Sequence, residues 1–290
     1  MAKRQRGDTW TLECTTARVL HCIVHAISNV AQNAIFTVDG GGMLRTQAVH
    51  SAKSCMITAA LQCTLQGDIE GDEATFCVNA KTLLKCLRFV APGMTVSITV
   101  AGSDPDTATV CGSDAVTGAC TMEWKVPLLV EDGFNVELDT LDYNAEWLYD
   151  VKTLRNDIAH CRDLDGDDTV QLRLCVHKTK EQMRRVELAT VGEAGAFRLT
   201  RGSATAAEGD GGVDATAALD APGDDRGSED DWNVVYDQKY AMGGIYDFLR
   251  CVDGPNVQLL LGKGQPLVAE VPLVGDGSKL TFVQGPHVGQ

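Results

Sequence analysis

A helix–stop–strand unit occurs twice in this sequence and restricts the possible folds more than any other feature. The first copy spans residues 79–90, is interrupted by Ala-Pro-Gly, and continues as an alternating strand over residues 95–100. The second copy spans residues 239–252, is interrupted by Asp-Gly-Pro, and continues as a strand over residues 257–261. Both helices end in Leu-Arg-x-Val. A unit repeated at this distance predicts two domains of the same design.

The first of these helices has an apolar side and a basic side. With about 100° of rotation per residue, the apolar residues Leu83, Leu87 and Val90 share one side. The basic residues fall on the opposite side: Lys81, Lys85 and Arg88. We therefore expect one side to pack on a core and the other to face a negatively charged partner.

Two further helices are predicted, over residues 17–30 and 145–160. Their basic and imidazole side chains are Arg18, His21 and His25 in the first helix, and Lys152 and Arg155 in the second. The first helix contains no carboxylate, whereas acidic residues dilute the charge of the second. The two histidines also fit ordinary surface positions, so the basic residues carry the argument for a charged helical surface.

The distribution of charge is more informative than the formal net charge of −15. Such a charge ordinarily argues against binding to nucleic acid. However, residues 203–231 include nine acidic residues and one arginine, and so account for −8 of the total. This Gly/Ala/Asp-rich segment cannot bury enough apolar surface to become ordered, and we predict a disordered, solvated loop. Helices with few carboxylates stand out against this acidic background.

Composition also narrows the class of protein. The sequence has eleven cysteines, none in a Cys-x-x-Cys pair, which predicts small buried hydrophobic residues in a reducing compartment and no zinc site. It has no apolar run long enough to cross a bilayer. The N-terminal residues 1–9 include three basic residues but no apolar stretch of a secretory signal, so a flexible basic terminus of a soluble, intracellular protein is expected.

Short alternating segments predict strands between the helices. These strands cover residues 9–15, 34–38, 43–49, 55–65, 74–78, 106–112, 119–126, 170–176, 186–191, 196–200, 232–237, 267–274 and 280–284. Residues 126–136 form an unusually apolar connector broken by Pro127 and Gly133. The pattern predicts an α+β chain in which antiparallel sheets carry helices on one face, divided into domains at 10–125 and 137–290.

The order of elements and several motifs resemble the family of the eukaryotic sliding clamp, proliferating cell nuclear antigen (PCNA). The resemblance is carried by Phe-Cys-Val-Asn-Ala-Lys-Thr-Leu-Leu-Lys-Cys-Leu-Arg at residues 76–88, by Pro-Leu-Val-Ala-Glu at 266–270, and by Lys-Leu-Thr-Phe-Val-Gln-Gly-Pro at 279–286. The sequence departs from the family in its acidic insertion, its shortened connector and the loop around Lys53. These departures are typical of a divergent member, such as one from a large DNA virus or a protist.

The resemblance implies a DNA clamp fold of two similar domains, each with antiparallel β-sheets outside and two helices inside. It implies a homotrimeric ring that encircles double-stranded DNA as a polymerase processivity factor in replication and repair, with no enzymatic activity, metal or cofactor. The implied partners are a DNA polymerase, a clamp loader, and ligase- or nuclease-type proteins carrying PCNA-interacting peptides. The implied location is the nucleus or a viral replication compartment, without membrane contact.

The resemblance also assigns residues to three surfaces. The DNA channel would contain Arg18, His21, His25, Lys81, Lys85, Arg88, Lys152, Arg155, Lys239 and Arg250. The pocket for partner peptides would contain Cys55, Leu128, Leu129, Val130, Phe134, Pro266, Val283, Gly285 and Pro286. The subunit interface would pair Thr107, Thr109, Val110 and Cys111 of one copy with Phe197 and Leu199 of the next. For each basic residue or connector leucine alone, an ordinary surface or packing role is an alternative.

Two other classes of function fit parts of the sequence. A checkpoint-type clamp subunit in the DNA damage response would share the fold but assemble only with different chains. An enzyme could use His160 and Cys161 as base and nucleophile, but neighbouring residues on a helix point in different directions. The acidic run that begins at Asp163 resembles a calcium loop but has Asp168 at the glycine position and Leu174 at the glutamate position. Catalysis and calcium binding are therefore not expected.

Overall fold

The computed structural model describes residues 9–287 except 53, 70, 92, 102–105, 131–142, 144, 164–167, 181–182, 193–194, 205–230 and 274–277. The helices are α1 (Ala17–Val30), α2 (Ala80–Leu87), α3 (Val151–Asp163) and α4 (Met242–Cys251). The first-half strands are β1 (Trp10–Cys14), β2 (Asn33–Asp39), β3 (Met43–Val49), β4 (Cys55–Gln62), β5 (Thr64–Gln66), β6 (Glu73–Asn79), β7 (Met94–Val100), β8 (Thr107–Asp114) and β9 (Cys120–Leu129). The second-half strands are β10 (Ala145–Asp150), β11 (Thr169–His177), β12 (Met183–Gly192), β13 (Gly195–Ala204), β14 (Trp232–Ala241), β15 (Asn256–Leu261), β16 (Leu267–Pro272) and β17 (Lys279–Gln284).

The strands form two antiparallel sheets. Thirteen strands follow one another in the order β10-β15-β16-β17-β4-β3-β2-β6-β9-β8-β7-β1-β5, and four form a second sheet in the order β13-β12-β11-β14. The larger sheet crosses from one half of the chain to the other where β17 pairs with β4, with Phe282 opposite Ile57. The two halves are therefore joined by continuous backbone hydrogen bonding.

The four helices pack side by side in the order α2-α1-α4-α3 and lie against the sheets. Each buries one apolar stripe, as Leu20, Ile23 and Ile27 do in α1. In α2, the Asn79 side chain accepts a hydrogen bond of 3.0 Å from the Thr82 backbone N–H, which fixes the start of the helix. The core thus lies between one layer of helices and the sheets, and the predicted α+β architecture is confirmed.

The repeat predicted from the two helix–strand units extends over both halves. The β1-α1 unit has its counterpart in β10-α3, and the α2-β7 unit in α4-β15. The correspondence reaches single residues: the Thr46 hydroxyl donates to the Ile35 carbonyl at 2.7 Å, and the Thr190 hydroxyl donates to the Thr169 carbonyl at 3.0 Å. Thr46 and Thr190 are buried at equivalent places in β3 and β12.

Two predicted helices begin later than expected. Residues 145–150 are strand β10, paired along its length with β15, because Trp147 and Tyr149 are buried at the alternating spacing of a strand. Helix α3 starts only at Val151, where the Asp150 carboxylate accepts a hydrogen bond of 2.7 Å from the Thr153 N–H. Lys239 likewise lies in strand β14, not in helix α4.

The predicted connector and acidic loop also begin in strands. Residues Val126 to Leu129 belong to β9, where Leu128 and Leu129 pair with Val78 and Cys77 of β6. The remainder of the connector, apart from Val130, lies outside the described residues, as do residues 205–230 of the acidic loop, residues 1–8 and most of the calcium-like run. None of the helices in the described part of the chain is long and apolar enough to cross a membrane.

Candidate nucleic-acid interface

The outward sides of the four helices form one positively charged surface, which we call the basic helical face. It consists of Arg18, Lys81, Lys85, Arg88, Lys152, Arg155, Arg162 and Arg250. The helices contain seven Lys or Arg residues against three Asp, and Arg88 directly follows α2. This balance is opposite in sign to the net charge of −15 of the whole chain. The helices thus carry a net positive charge in a chain that is acidic as a whole.

The buried acid of α3 does not oppose this charge. Asp157 is 1% exposed and accepts hydrogen bonds from Arg201 of β13 at 2.8 and 3.2 Å. It also accepts one of 2.7 Å from the Tyr149 hydroxyl of β10. A buried carboxylate requires such partners, and here they tie α3 to two strands.

The basic helical face is continuous from α2 to α1. The rings of His21 and His25 on α1 lie 6.0 Å apart, centroid to centroid. Arg88, His21 and Arg18 line one groove between the two helices. Burial lowers the pKa of both histidines, and the positive charge of Arg88 lowers it further in each case. The histidines are consequently held towards their neutral forms, in which they can donate or accept hydrogen bonds.

The same surface continues from α1 through α4 to α3. Helix α4 packs against α1, where the Asn29 side chain donates a hydrogen bond of 3.3 Å to the Cys251 sulfur. The charge of Arg250 on α4 accordingly contributes to the lowered pKa of His25. The guanidinium groups of Arg162 and Arg250 lie 4.7 and 5.8 Å from the ring centroid of Tyr246. Arg162 was not predicted as a site residue, since the sequence-based helix stops at residue 160 and the real helix reaches Asp163.

Most of these cations are available to a ligand. Arg18 pairs with Asp253, and Arg162 lies 3.6 Å from Asp168. The other six members of the face form no salt bridge with another described residue. Lys239, which was predicted to belong to the channel, is exposed on a strand and is not part of this helical surface.

A second surface lies on the other face of the large sheet. We call it the outer apolar cluster: Val49, Met56, Tyr143, Leu260, Val268 and Val283. Strand pairing aligns five of these residues across adjacent strands. Met56 lies opposite both Val49 and Val283, and Val268 lies opposite both Val283 and Leu260. It is separate from the main core and crosses the junction between the two halves. β17 is therefore buried on both faces.

The predicted peptide pocket overlaps this cluster in one residue, Val283. Cys55 and Leu128 pack against the main core instead, because strand alternation turns them to the inner face. Leu129 and Val130 are exposed, Pro266 and Pro286 are half-buried, and Gly285 donates its N–H to the Ser54 carbonyl at 3.1 Å. Phe134 lies outside the described residues. The sequence contains one signal of this cluster. Met56-Ile57 and Phe282-Val283 are consecutive apolar residues, which indicates strands that are buried on both faces.

A known structure has the same arrangement of sheets and helices. The crystal structure of PCNA from Thermococcus kodakaraensis superposes with a TM-score of 0.73, over 96% of this chain and 100% of that one, at 14% sequence identity. The chain has a PCNA-like clamp fold. No protein-family model matches the sequence, and no curated protein matches it. At this identity the match establishes the fold, and the predicted clamp architecture is confirmed at that level.

Within the PCNA-like fold, the predicted subunit interface needs a correction. β8, which carries Thr107, Thr109, Val110 and Cys111, lies inside the sheet and pairs with both β7 and β9. A strand with two partners has no free edge for a third. Phe197 and Leu199 lie in β13, which pairs only with β12 among the described strands and is therefore an edge.

The candidate thiol nucleophile is poorly placed for chemistry. Cys161 is fully buried, and burial raises the pKa of its thiol to about 11. A nucleophilic cysteine needs a lowered pKa and access to substrate. His160 beside it is exposed.

Proposed function

We propose that this protein is a sliding clamp that encircles double-stranded DNA and tethers a DNA polymerase and other replication and repair enzymes to it. The observation that carries the proposal is the basic helical face, a continuous band of cations on an otherwise acidic chain with a PCNA-like fold. Lysine and arginine contacts to phosphates bind DNA without reading its sequence. A loose set of such contacts suits a protein that must move along the duplex.

The repeat supports a specific route to ring closure. Within the chain, β17 of the second half pairs with β4 of the first. β9 occupies the place of β17 in the first half, and β13 occupies the place of β4 in the second half. From Cys120 to Val126, β9 pairs only with β8 among the described strands, while β13 is an edge. We infer that β9 of one copy pairs with β13 of the next, and that three copies close into a homotrimer.

The repeat also sets the register of this contact. Three adjacent strands in each half carry residues that lie directly opposite one another. In the first half these are Ile98, Val110 and Trp124, and the corresponding residues of the second half are Leu259, Ala269 and Phe282. Met122 therefore corresponds to Leu280, which pairs with Ala59 inside the chain. Ala59 lies opposite Thr46, as Phe197 lies opposite Thr190. The inferred contact places Met122 opposite Phe197 of the next copy.

An exposed aromatic residue beside β9 favours the same surface. Phe89 is 66% exposed, and its ring stacks on that of Trp124 with centroids 6.1 Å apart. A large apolar side chain so exposed next to an unpaired strand edge is typical of a surface that another protein covers.

The outer apolar cluster is the surface that we assign to partner peptides. It lies at the junction of the two halves on the face away from the helices, where a protein bound to the clamp would not obstruct the DNA. Apolar pockets with a few polar groups suit short peptides with an aromatic or aliphatic plug. The Tyr143 hydroxyl next to this cluster is buried without a hydrogen-bond partner among the described residues, and it is the unsatisfied polar group of this surface.

Replacing Leu260 by aspartate should weaken peptide binding by about 10-fold or more, because burial of one such side chain contributes roughly 1.5–3 kcal/mol. The probe is a labelled synthetic peptide with a glutamine followed by an aliphatic-aromatic plug, measured by fluorescence anisotropy. Leu148→Asp is the matched control, because Leu148 is 55% exposed on β10, outside the cluster. Equal affinity of the two variants would place the peptide site elsewhere.

Topological linkage to DNA tests the proposed function directly. The purified chain is loaded with a clamp loader, or by high protein concentration, onto nicked circular DNA and onto the same DNA after linearisation. We expect retention on the circle during gel filtration at raised salt, loss from the linear form, and a light-scattering mass near three chains. Equal loss from both forms would exclude encirclement by this chain. A stable monomer that is retained only with other subunits would instead indicate the heteromeric, checkpoint-type clamp.

A further inference from the structure

Two cysteines and a glutamate converge on the outward surface of the β8–β9 hairpin. The ligand atoms of Cys111, Cys120 and Glu123 all lie within 4.8 Å of one another. Cys120 and Glu123 are exposed and Cys111 is half-buried, so an ion can reach them from solvent. Cys120 and Glu123 lie on β9, whose backbone edge is proposed above to form the ring contact, but the side chains of the three residues have no assigned role in that contact.

A β-bulge creates this convergence. Cys111 lies opposite Glu123, and Gly112 opposite Met122, but Ser113 lies opposite Cys120 and Thr121 is left without a partner. In a regular strand, Cys120 and Glu123 are three residues apart and would point to opposite faces. The extra residue turns Cys120 to the face of Cys111 and Glu123, which is how bulges re-aim side chains. The thiol now donates weakly to the Met122 carbonyl, 3.3 Å away.

We propose that Cys111, Cys120 and Glu123 form a zinc site with a fourth position open to water. Thiolates select soft or borderline metals such as Zn²⁺ over Mg²⁺ and Ca²⁺, and a carboxylate is a common additional zinc ligand. Tetrahedral Zn–S bonds of about 2.3 Å place two sulfurs about 3.8 Å apart. The observed separations of up to 4.8 Å need only small side-chain rotations to reach this geometry.

The bound ion would cross-link β8 to β9 near the end of their hairpin, beside the free edge of β9. Cys120 and Glu123 belong to the part of β9 that pairs with β8 alone among the described strands. Cross-linking this strand to Cys111 of β8 would restrict fraying of the edge. The metal site itself does not depend on the clamp proposal, because its ligands come from one chain and its test needs no DNA.

Cobalt(II) is the probe for the test, because tetrahedral thiolate coordination gives it intense visible absorption and a thiolate-to-metal charge-transfer band. The full chain is reduced, freed of metal and titrated with Co²⁺ under anaerobic conditions, and Zn²⁺ is then added as competitor. We expect one Co²⁺ per chain, displacement by Zn²⁺, and a higher melting temperature with either metal. Cys120→Ser and Glu123→Gln change exposed side chains and should preserve the fold, which circular dichroism verifies.

The variants separate this site from the other cysteines. Cys120→Ser should lower the affinity for Zn²⁺ by more than about 100-fold, since even outer partners of metal ligands contribute 10–100-fold. Glu123→Gln should lower it less and alter the cobalt spectrum. Cys55→Ser, which removes a half-buried thiol outside the cluster, should bind like the parent chain. The proposal is overturned if the reduced parent chain shows no cobalt charge-transfer band, or if Cys120→Ser retains that band at parental affinity.

Discussion

Replacing Lys81, Lys85 and Arg88 together by glutamate is expected to reduce DNA binding by at least about 100-fold at low salt. These residues lie on one exposed side of α2 and form no salt bridge with another described residue. Each lost contact between a lysine or arginine and a DNA phosphate should reduce the slope of the logarithm of the binding constant against the logarithm of salt concentration by about 0.9. Binding to a short duplex should be measured by anisotropy across a salt series, with thermal unfolding as a check on the fold.

The matched control reverses Lys178, Lys180 and Lys263 instead. These lysines are exposed in turns between strands, and their replacement by glutamate changes the net charge by the same amount. If both triple variants lose affinity equally, the effect comes from total charge and the basic helical face is not the DNA site. Loss in the α2 variant alone would place the duplex against the helices. Unchanged binding in the α2 variant at low salt would remove these residues from the interface.

Replacing Met122 by aspartate should break the ring into monomers. The inferred contact places Met122 opposite Phe197 of the next copy, and an unpaired charge in such a contact costs roughly 3–5 kcal/mol. The dissociation constant for assembly should therefore rise by at least about 100-fold. Light scattering across a dilution series measures the change. Thr109→Asp is the control, because Thr109 lies on β8, which has strand partners on both sides.

A compensating charge tests the register as well as the surface. Phe197→Lys alone should also weaken assembly, but combined with Met122→Asp it should restore much of it, because directly opposed residues of antiparallel strands interact most strongly. Phe197 is half-buried against the main core, so the unfolding temperature of each variant must be compared first. A double variant that remains as monomeric as the two single variants would refute this register. Monomers from Thr109→Asp, with Met122→Asp still assembled, would contradict the contact through β9.

Helices and their polarity could be predicted because both depend on residues close together in the sequence. The limits of α1 were predicted to the residue, since its apolar stripe has a clear period and no competing pattern. The start of α3 was missed because Trp147 and Val151, four residues apart, also fit a helical stripe. Only the pairing with β15 shows that residues 145–150 form a strand, in which Trp147 and Tyr149 alternate towards the core.

Strand neighbours could not be predicted from local pattern. β8 and β9 both look like half-buried strands, and only the sheet order shows that β8 is internal while part of β9 is free on one side. The outer apolar cluster was missed for the same reason. Its members come from β3, β4, β15, β16 and β17, together with Tyr143, and meet only when the two halves of the chain join.

The sequence by itself determined the repeated helix–strand units, the α+β class and the basic outward sides of the helices, because periodicity and charge are properties of neighbouring residues. Tertiary structure alone decided which strand edges are free, which apolar residues form the outer cluster, and that Cys120 faces Cys111. The spacing of the cysteines predicts no metal site, because a regular strand would turn Cys120 away from Glu123. One unpaired residue, Thr121, reverses the direction of that side chain, and this bulge exists only in the pairing of β9 with β8.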